Sequence, residues 1–359
     1  MIDVLEPPRF NPAPQRKPGF RLAFAAVLFA VSVIALGAFT RLVDAGLGCP
    51  DWPGCYGHLL WPKTDAQVER ANLAFPEMPV EHDKTWPEMV HRYLATGLGL
   101  FVIAIVVLAL RHRGAGQPLR LPLALLGLVI VQGLFGMWTV TLKLWPQVVT
   151  AHLLGGFATL SLLWLLTLRL DGGHWQLPGN TLSALRRVRP WVLAGLVAVI
   201  LQIALGGWTT SNYAAVACHE LPTCEGQWWP EMDFAHGFNI FQQVGPNYLG
   251  GMMHSEARIA IHMMHRLGAI AVTVMLLLLC WQLWQLAFAR ARRMALIIGL
   301  ALAVQLLLGL SNIWFAFPVS VAVAHNLGGA LLLLTLVTLT HRTLTARSAS
   351  LPQEARSRP

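Results

Sequence analysis

Four histidines share one kind of setting: "MVHRYLATG" around His91, "TAHLLGG" around His152, "MMHRLGA" around His265 and "VAHNLGG" around His325. Each lies near the start of a long apolar stretch. An ionisable side chain there is costly and usually functional. Any one of them alone is equally well a hydrogen-bonded residue near an interface. Two matched pairs are harder to dismiss. Two neutral imidazoles on opposite faces satisfy a six-coordinate heme iron. Zinc fits less well, because no third and fourth protein ligand accompanies either pair. The chain has no C-x-x-C-H, which excludes covalent c-type attachment.

Glu88, in "WPEMVHRY", precedes His91 by three residues and so shares its helix face. A carboxylate beside an iron ligand can handle protons or stabilise a cationic centre. The plainer reading is that it favours a helix N-terminus through the helix dipole. Arg92 and Arg266 each follow a histidine. They are candidates for pairing with heme propionates, or they snorkel to the interface.

These residues have to be positioned by membrane helices. The chain has 359 residues, 55% of them hydrophobic and 12% charged, a balance wrong for a soluble domain. Eight apolar runs, near 20–40, 89–110, 121–142, 148–168, 191–210, 258–286, 295–316 and 319–340, reach the roughly 20 residues that a span needs. Barrel strands would be shorter and alternating. The net charge of +9 is not a nucleic-acid signal, since 18 of the 26 Lys and Arg fall in alternate connections and the two tails. The positive-inside rule makes those segments, and both termini, cytoplasmic. The first 19 residues read as a polar tail, and the run after them as a retained helix rather than a signal peptide.

The chain also repeats itself. "LGAFTRLVDAGLGCPDWPGC" (36–55) aligns without a gap on "LGGWTTSNYAAVACHELPTC" (205–224), a shift of 169. His91 maps on His265 at a shift of 174, and "QGLFG" and "AHLLGG" map on "QLLLG" and "AHNLGG" at 173. Each half has four spans, an even number, so the halves point the same way. The expected fold is an all-α membrane protein of two four-helix bundles related by a pseudo-two-fold axis along the membrane normal. The expected divisions are tail 1–19, first bundle 20–170, cytoplasmic linker 171–190, second bundle 191–341 and tail 342–359. All four histidines then fall at similar depth in the outer part of the membrane. Glu88 breaks the symmetry: His262 stands at its equivalent position. His262 also rivals His265 as a ligand, but the repeat register and the following Arg favour His265.

The "GAFTRLVDAGLGCPDWPGCYG" block, the E-x-x-H-R start of the second span, the second H-R and the two A-H blocks together resemble the heme A synthase family, over about residues 20–340. That family oxidises the C8 methyl group of heme O to the formyl group of heme A for cytochrome oxidases, the oxygen coming from water. The resemblance implies that His265 and His325 ligate a resident heme b, and that His91 and His152 hold the heme O substrate. It implies that Glu88 is the acidic residue essential to methyl oxidation. It also implies a bacterial inner membrane location amid lipid, with heme O synthase and oxidase subunits as partners and no nucleic acid. A homo-oligomer is compatible with it. The chain departs from shorter members at about 211–257, with His219, His236 and His254, where an outer cap over the second bundle is expected.

Competing readings remain at this stage. A di-heme cytochrome b that only relays electrons explains the histidines but gives Glu88 no task. A transporter built from parallel repeats would put the histidines in a proton or metal path. The topology places Cys49, Cys55, Cys218 and Cys224 outside the cytoplasm, where disulfides persist. Their repeat-matched spacing argues for Cys49–Cys55 and Cys218–Cys224 bridges that brace the loops. A zinc site of Cys49, Cys55 and His58, or a redox role, is the alternative.

Overall fold

The computed structural model describes residues 16–115 and 117–349. Eight long helices carry the fold: α1 (Phe20–Leu42), α3 (His82–Arg111), α4 (Arg120–Thr141), α5 (Pro146–Asp171), α6 (Gly179–Ser211), α8 (Ser255–Gln285), α9 (Ala289–Trp314) and α10 (Val319–Thr345). Each is long and apolar enough to cross a membrane. Two short helices, α2 (Asp65–Ala74) and α7 (Phe234–Gly237), lie in the connections after α1 and α6. Those two long connections share one face of the molecule, here the loop face; the opposite, basic face carries Arg111, Arg186, Arg187 and Arg290. The fold is that of an all-α integral membrane protein.

The helices close into two rings. α1 packs on α3 and α5, and α4 on the same two; α6 packs on α8 and α10, and α9 on the same two. The rings meet along α1–α10, α5–α6 and α5–α10. Exchanging the halves turns the first of these contacts into the second and leaves the third unchanged, as a two-fold axis requires. Repeat mates accordingly touch each other at the centre. The Arg41 guanidinium donates to the Thr210 carbonyl at 2.6 Å, and the Tyr213 hydroxyl to Asp44 at 2.8 Å. Deeper in, Trp164 Nε1 donates to Thr338 Oγ1 at 2.7 Å. In lipid there is little hydrophobic force between helices, so close packing and such polar contacts hold them together.

Several boundaries differ from the sequence reading. α3 begins at His82, seven residues before 89, with Asp83 in its first turn. α6 begins at Gly179, so most of the expected linker 171–190 is helix. Hydropathy registers the lipid-spanning part alone, whereas a charged helical turn outside the hydrocarbon is equally stable. The expected tails are anchored where they are described. Arg16 pairs with Asp171 at 3.2 Å, α10 runs on to Thr345, and Arg347–Ser348 pair in parallel with Gln176–Leu177. The rest of both tails, 1–15 and 350–359, lies outside the described residues.

Candidate functional site

Near the loop face of the first ring, α3 presents Glu88 and His91, and α5 presents His152. Because α3 starts early, Glu88 lies in its second turn, covered by the first loop and only 4% exposed. Its Oε2 accepts the Cys49 backbone N–H at 2.9 Å, and its Oε1 pairs with the Arg92 guanidinium one turn on. The carboxylate is therefore more than a helix-end charge: both oxygens are held. The His91 and His152 rings face each other with centroids 6.5 Å apart and planes at 89°. That spacing leaves room for one metal atom between them, bound to each ring at about 2 Å. Nδ1 of both rings is buried and lacks a hydrogen-bond partner among the described residues. Two half-buried imidazoles, each with a buried and unmet nitrogen, are a donor set that fits iron.

The second ring repeats the arrangement with His265 on α8 and His325 on α10. Nδ1 of His325 is again unpartnered. His265 and His325 are half-buried, whereas His262 is 4% exposed and bonds the Ala214 carbonyl at 3.0 Å through Nδ1. Of these two rivals, His265 is the one whose ring packs on a glycine of the neighbouring helix, Gly206, as His91 packs on Gly37.

What aims each histidine is a glycine on the neighbouring helix. A Cβ at Gly37 would lie 2.7 Å from the His91 ring, and at Gly206 or Gly309 it would lie 3.1 Å from His265 or His325. His152 rests on Gly136 in the same way, at 3.5 Å. Three sites add a reciprocal lock that the sequence reading missed. Gln132, Gln202 and Gln305, each four residues before the cradle glycine, lay their amides over Gly155, Gly268 and Gly328, each three residues after the histidine. Gln202 also reaches the His265 ring at 3.1 Å, and Gln305 the His325 ring at 3.4 Å. The signal was present as Q-x-x-x-G opposite H-x-x-G, three times over. At His91 the lock is missing: Val33 and Leu94 occupy those positions. A Gly268→Ala substitution would put its Cβ 2.2 Å from Gln202 Oε1. Overpacking of this kind is expected to cost about 1–3 kcal/mol, and Gln202→Ala in the same chain should recover most of it in a thermal melt.

The loops close over the sites. Cys49–Cys55 and Cys218–Cys224 are both disulfides, all four residues fully buried, so the alternative in which Cys49 and Cys55 bind zinc with His58 is not what forms. The two arginines reach up into these loops. Arg92 donates to the carbonyls of Asp51 (3.0 Å), Pro53 (3.2 Å) and Gly54 (2.5 Å), and Arg266 to those of Cys218 (3.3 Å), Glu220 (2.9 Å) and Thr223 (3.0 Å). Tyr56, on the first loop, has its hydroxyl pKa pushed up to about 12, first by burial and then by nearby Glu81, Glu88 and Asp51. It stays a neutral donor to the Met78 carbonyl at 3.0 Å. Replacing Cys218 and Cys224 by serine is expected to lower stability by about 2–3 kcal/mol, the chain-entropy value for so short a loop, read from thermal unfolding in detergent.

The longer connection after α6 corrects an expectation. It does not cap the second ring alone. Trp145 Nε1 donates to the Gln242 carbonyl at 3.2 Å, Gln147 to the Ile240 carbonyl at 2.8 Å, and the Tyr248 N–H to the Lys143 carbonyl at 3.0 Å. Residues 240–248 thus form a strap across the α4–α5 turn, at the head of the helix that carries His152. On the strap itself the groups in contact are two backbone carbonyls and one N–H, so its side-chain patterning did not announce them.

Residues 20–337 match the family described as cytochrome oxidase assembly protein (COX15-CtaA). The chain is 46% identical over 315 residues to a Shewanella oneidensis protein named heme A synthase, covering 88% of this chain and 93% of that one. Proteins of the same name from Caulobacter vibrioides and Caulobacter sp. K31 are 28% and 27% identical, over 86% and 89% of this chain and 90% and 94% of theirs. The chain belongs to the COX15-CtaA family of cytochrome oxidase assembly proteins.

Proposed function

We propose that this protein is a heme A synthase, an oxidoreductase that converts the C8 methyl group of heme O to the formyl group of heme A. The observation that carries the reading is the asymmetry between two otherwise matched histidine pairs. A buried, doubly held carboxylate stands beside His91 and His152, while a buried histidine, His262, takes its place beside His265 and His325. Chemistry that must move protons belongs with the first pair, and electron transfer with the second.

In this reading His91 and His152 hold heme O, and His265 and His325 hold heme b, which supplies a one-electron relay when bound. Turning a methyl into a formyl group with oxygen from water releases about four protons and four electrons, the electrons leaving through the heme b relay to an acceptor outside this chain, and builds positive charge next to the ring. Glu88 is placed to stabilise that charge and to accept a proton at whichever oxygen the Cys49 N–H or Arg92 releases. Arg92 holds the loop against Glu88. Arg266 holds the equivalent loop and keeps a buried, unpartnered Nε–H for a heme propionate. The first ring is then the substrate domain and the second the heme b domain. The basic face lies in the cytoplasm of a bacterium with both termini, and heme O synthase and oxidase subunits deliver and receive the hemes. Coexpression with a source of heme O, followed by heme extraction, tests the proposal: heme A should accumulate with this chain and be absent without it.

A further inference from the structure

The strap that crosses to the first ring leaves and rejoins the second ring at one point, and that point is a cluster of three ligand-type side chains. Asp233 Oδ2 lies 2.6 Å from His236 Nδ1 and 3.1 Å from His254 Nε2. The three ligand atoms fall within 4.8 Å of one another, and the two rings are 5.3 Å apart, planes at 72°. Glu256 Oε2 stands 4.0 Å from His254 Nε2 as a fourth oxygen. The cluster is on the surface, with 69% of the His236 side chain and 48% of the His254 side chain exposed.

The plainer account is an N-cap with two hydrogen-bonded histidines, and part of it holds: Asp233 Oδ1 accepts the His236 N–H at 3.0 Å. The N-cap uses one carboxylate oxygen. The other is approached by two imidazoles, one of them 21 residues away along the chain. Donor sets of two histidines and one carboxylate suit zinc-like ions, with water in the remaining position. Ligand distances of about 2.0–2.2 Å put the ligand atoms of a tetrahedral ion roughly 3–3.5 Å apart. The two contacts of Asp233 already approach this, and rotation of an exposed ring closes the third.

The enclosed segment also needs a clip. Residues 238–253 form no helix or strand and contain Gly245, Gly250 and Gly251, all with positive φ. Tethering the two ends of such a loop removes much of its freedom. We propose that Asp233, His236 and His254 form a binding site for one divalent transition ion of the zinc class. The ion staples the base of the strap that lies over the α4–α5 turn. The site is independent of any heme reading.

Full-length protein in detergent, stripped with chelator and dialysed against Zn²⁺, tests this by metal analysis, with iron measured in the same samples. Wild type should hold one zinc per chain more than His236→Ala/His254→Ala. Asp233→Asn keeps a capping oxygen for His236 N–H but loses the charged ligand. Its zinc affinity should fall by more than the roughly 10- to 100-fold that loss of an outer-sphere partner costs. Zinc should also slow proteolysis within 238–253 in wild type and in neither variant. Equal zinc in wild type and the double variant overturns the proposal, as does displacement of zinc by an equal concentration of Ca²⁺.

Discussion

Glu88→Gln is expected to reduce heme A formation by at least about 100-fold, the lower range for losing a general acid–base group, while heme binding by the purified chain persists. Glutamine is the informative choice because it is nearly isosteric. Its amide oxygen can still accept the Cys49 N–H that Oε2 accepts at 2.9 Å. What it loses is the negative charge and the ability to take a proton. Arg92 loses its ionic partner but keeps three loop carbonyls, so the loop should stay closed. Glu88→Ala removes the acceptor as well, leaves the Cys49 N–H buried without a partner, and should therefore cost a further 1–3 kcal/mol or so of stability. Extracted hemes measured by chromatography decide the matter. Heme A within tenfold of wild type in the glutamine variant would remove Glu88 from the chemistry and return it to a structural role.

The two histidine pairs should separate just as sharply. His265→Ala and His325→Ala are expected to abolish the resident heme b spectrum and, with it, activity. His91→Ala and His152→Ala should leave that spectrum in place and abolish heme A formation. The proposed assignment gives each heme one pair of histidines, so removal of either imidazole would take away half of the protein ligands of that site alone. A graded variant strengthens the test. His325→Met keeps a ligand on α10 and is expected to raise the midpoint potential of the resident heme, since methionine–histidine ligation does so. Redox titration of purified protein reads that shift. Loss of the resident heme from the first-ring variants instead would exchange the two assignments.

How much of this was legible beforehand follows from where the physics is local. A membrane span is set by the hydrocarbon thickness, so eight spans could be counted from hydropathy alone. The even number per half, the positive-inside bias and the shift of 169–174 residues then oriented the repeat and put His91, His152, His265 and His325 at one depth. The pairs of cysteines were legible for the same reason: matched spacing in matched loops. The start of α3 was not, because the turns bearing His82, Asp83 and Lys84 lie beyond the hydrocarbon, where hydropathy has nothing to register.

Tertiary structure decided everything that depends on which faces meet. A helix that is apolar all round carries no stripe to say which side is buried, so the seating of His91 on Gly37 and of Gln202 on Gly268 emerged only when the helices were packed. The same holds for Glu88, whose partner Cys49 is 39 residues away and bonds through its backbone N–H. It holds too for the strap over the α4–α5 turn, which makes its contacts through its own main-chain groups. By itself the sequence determined the number, direction and repetition of the spans and the identity of the candidate ligands. Packing alone decided that Glu88 is held from both sides, that the H-R arginines clamp the loops, and that Asp233, His236 and His254 converge. Hydropathy and spacing belong to each segment separately, whereas these contacts exist only between segments.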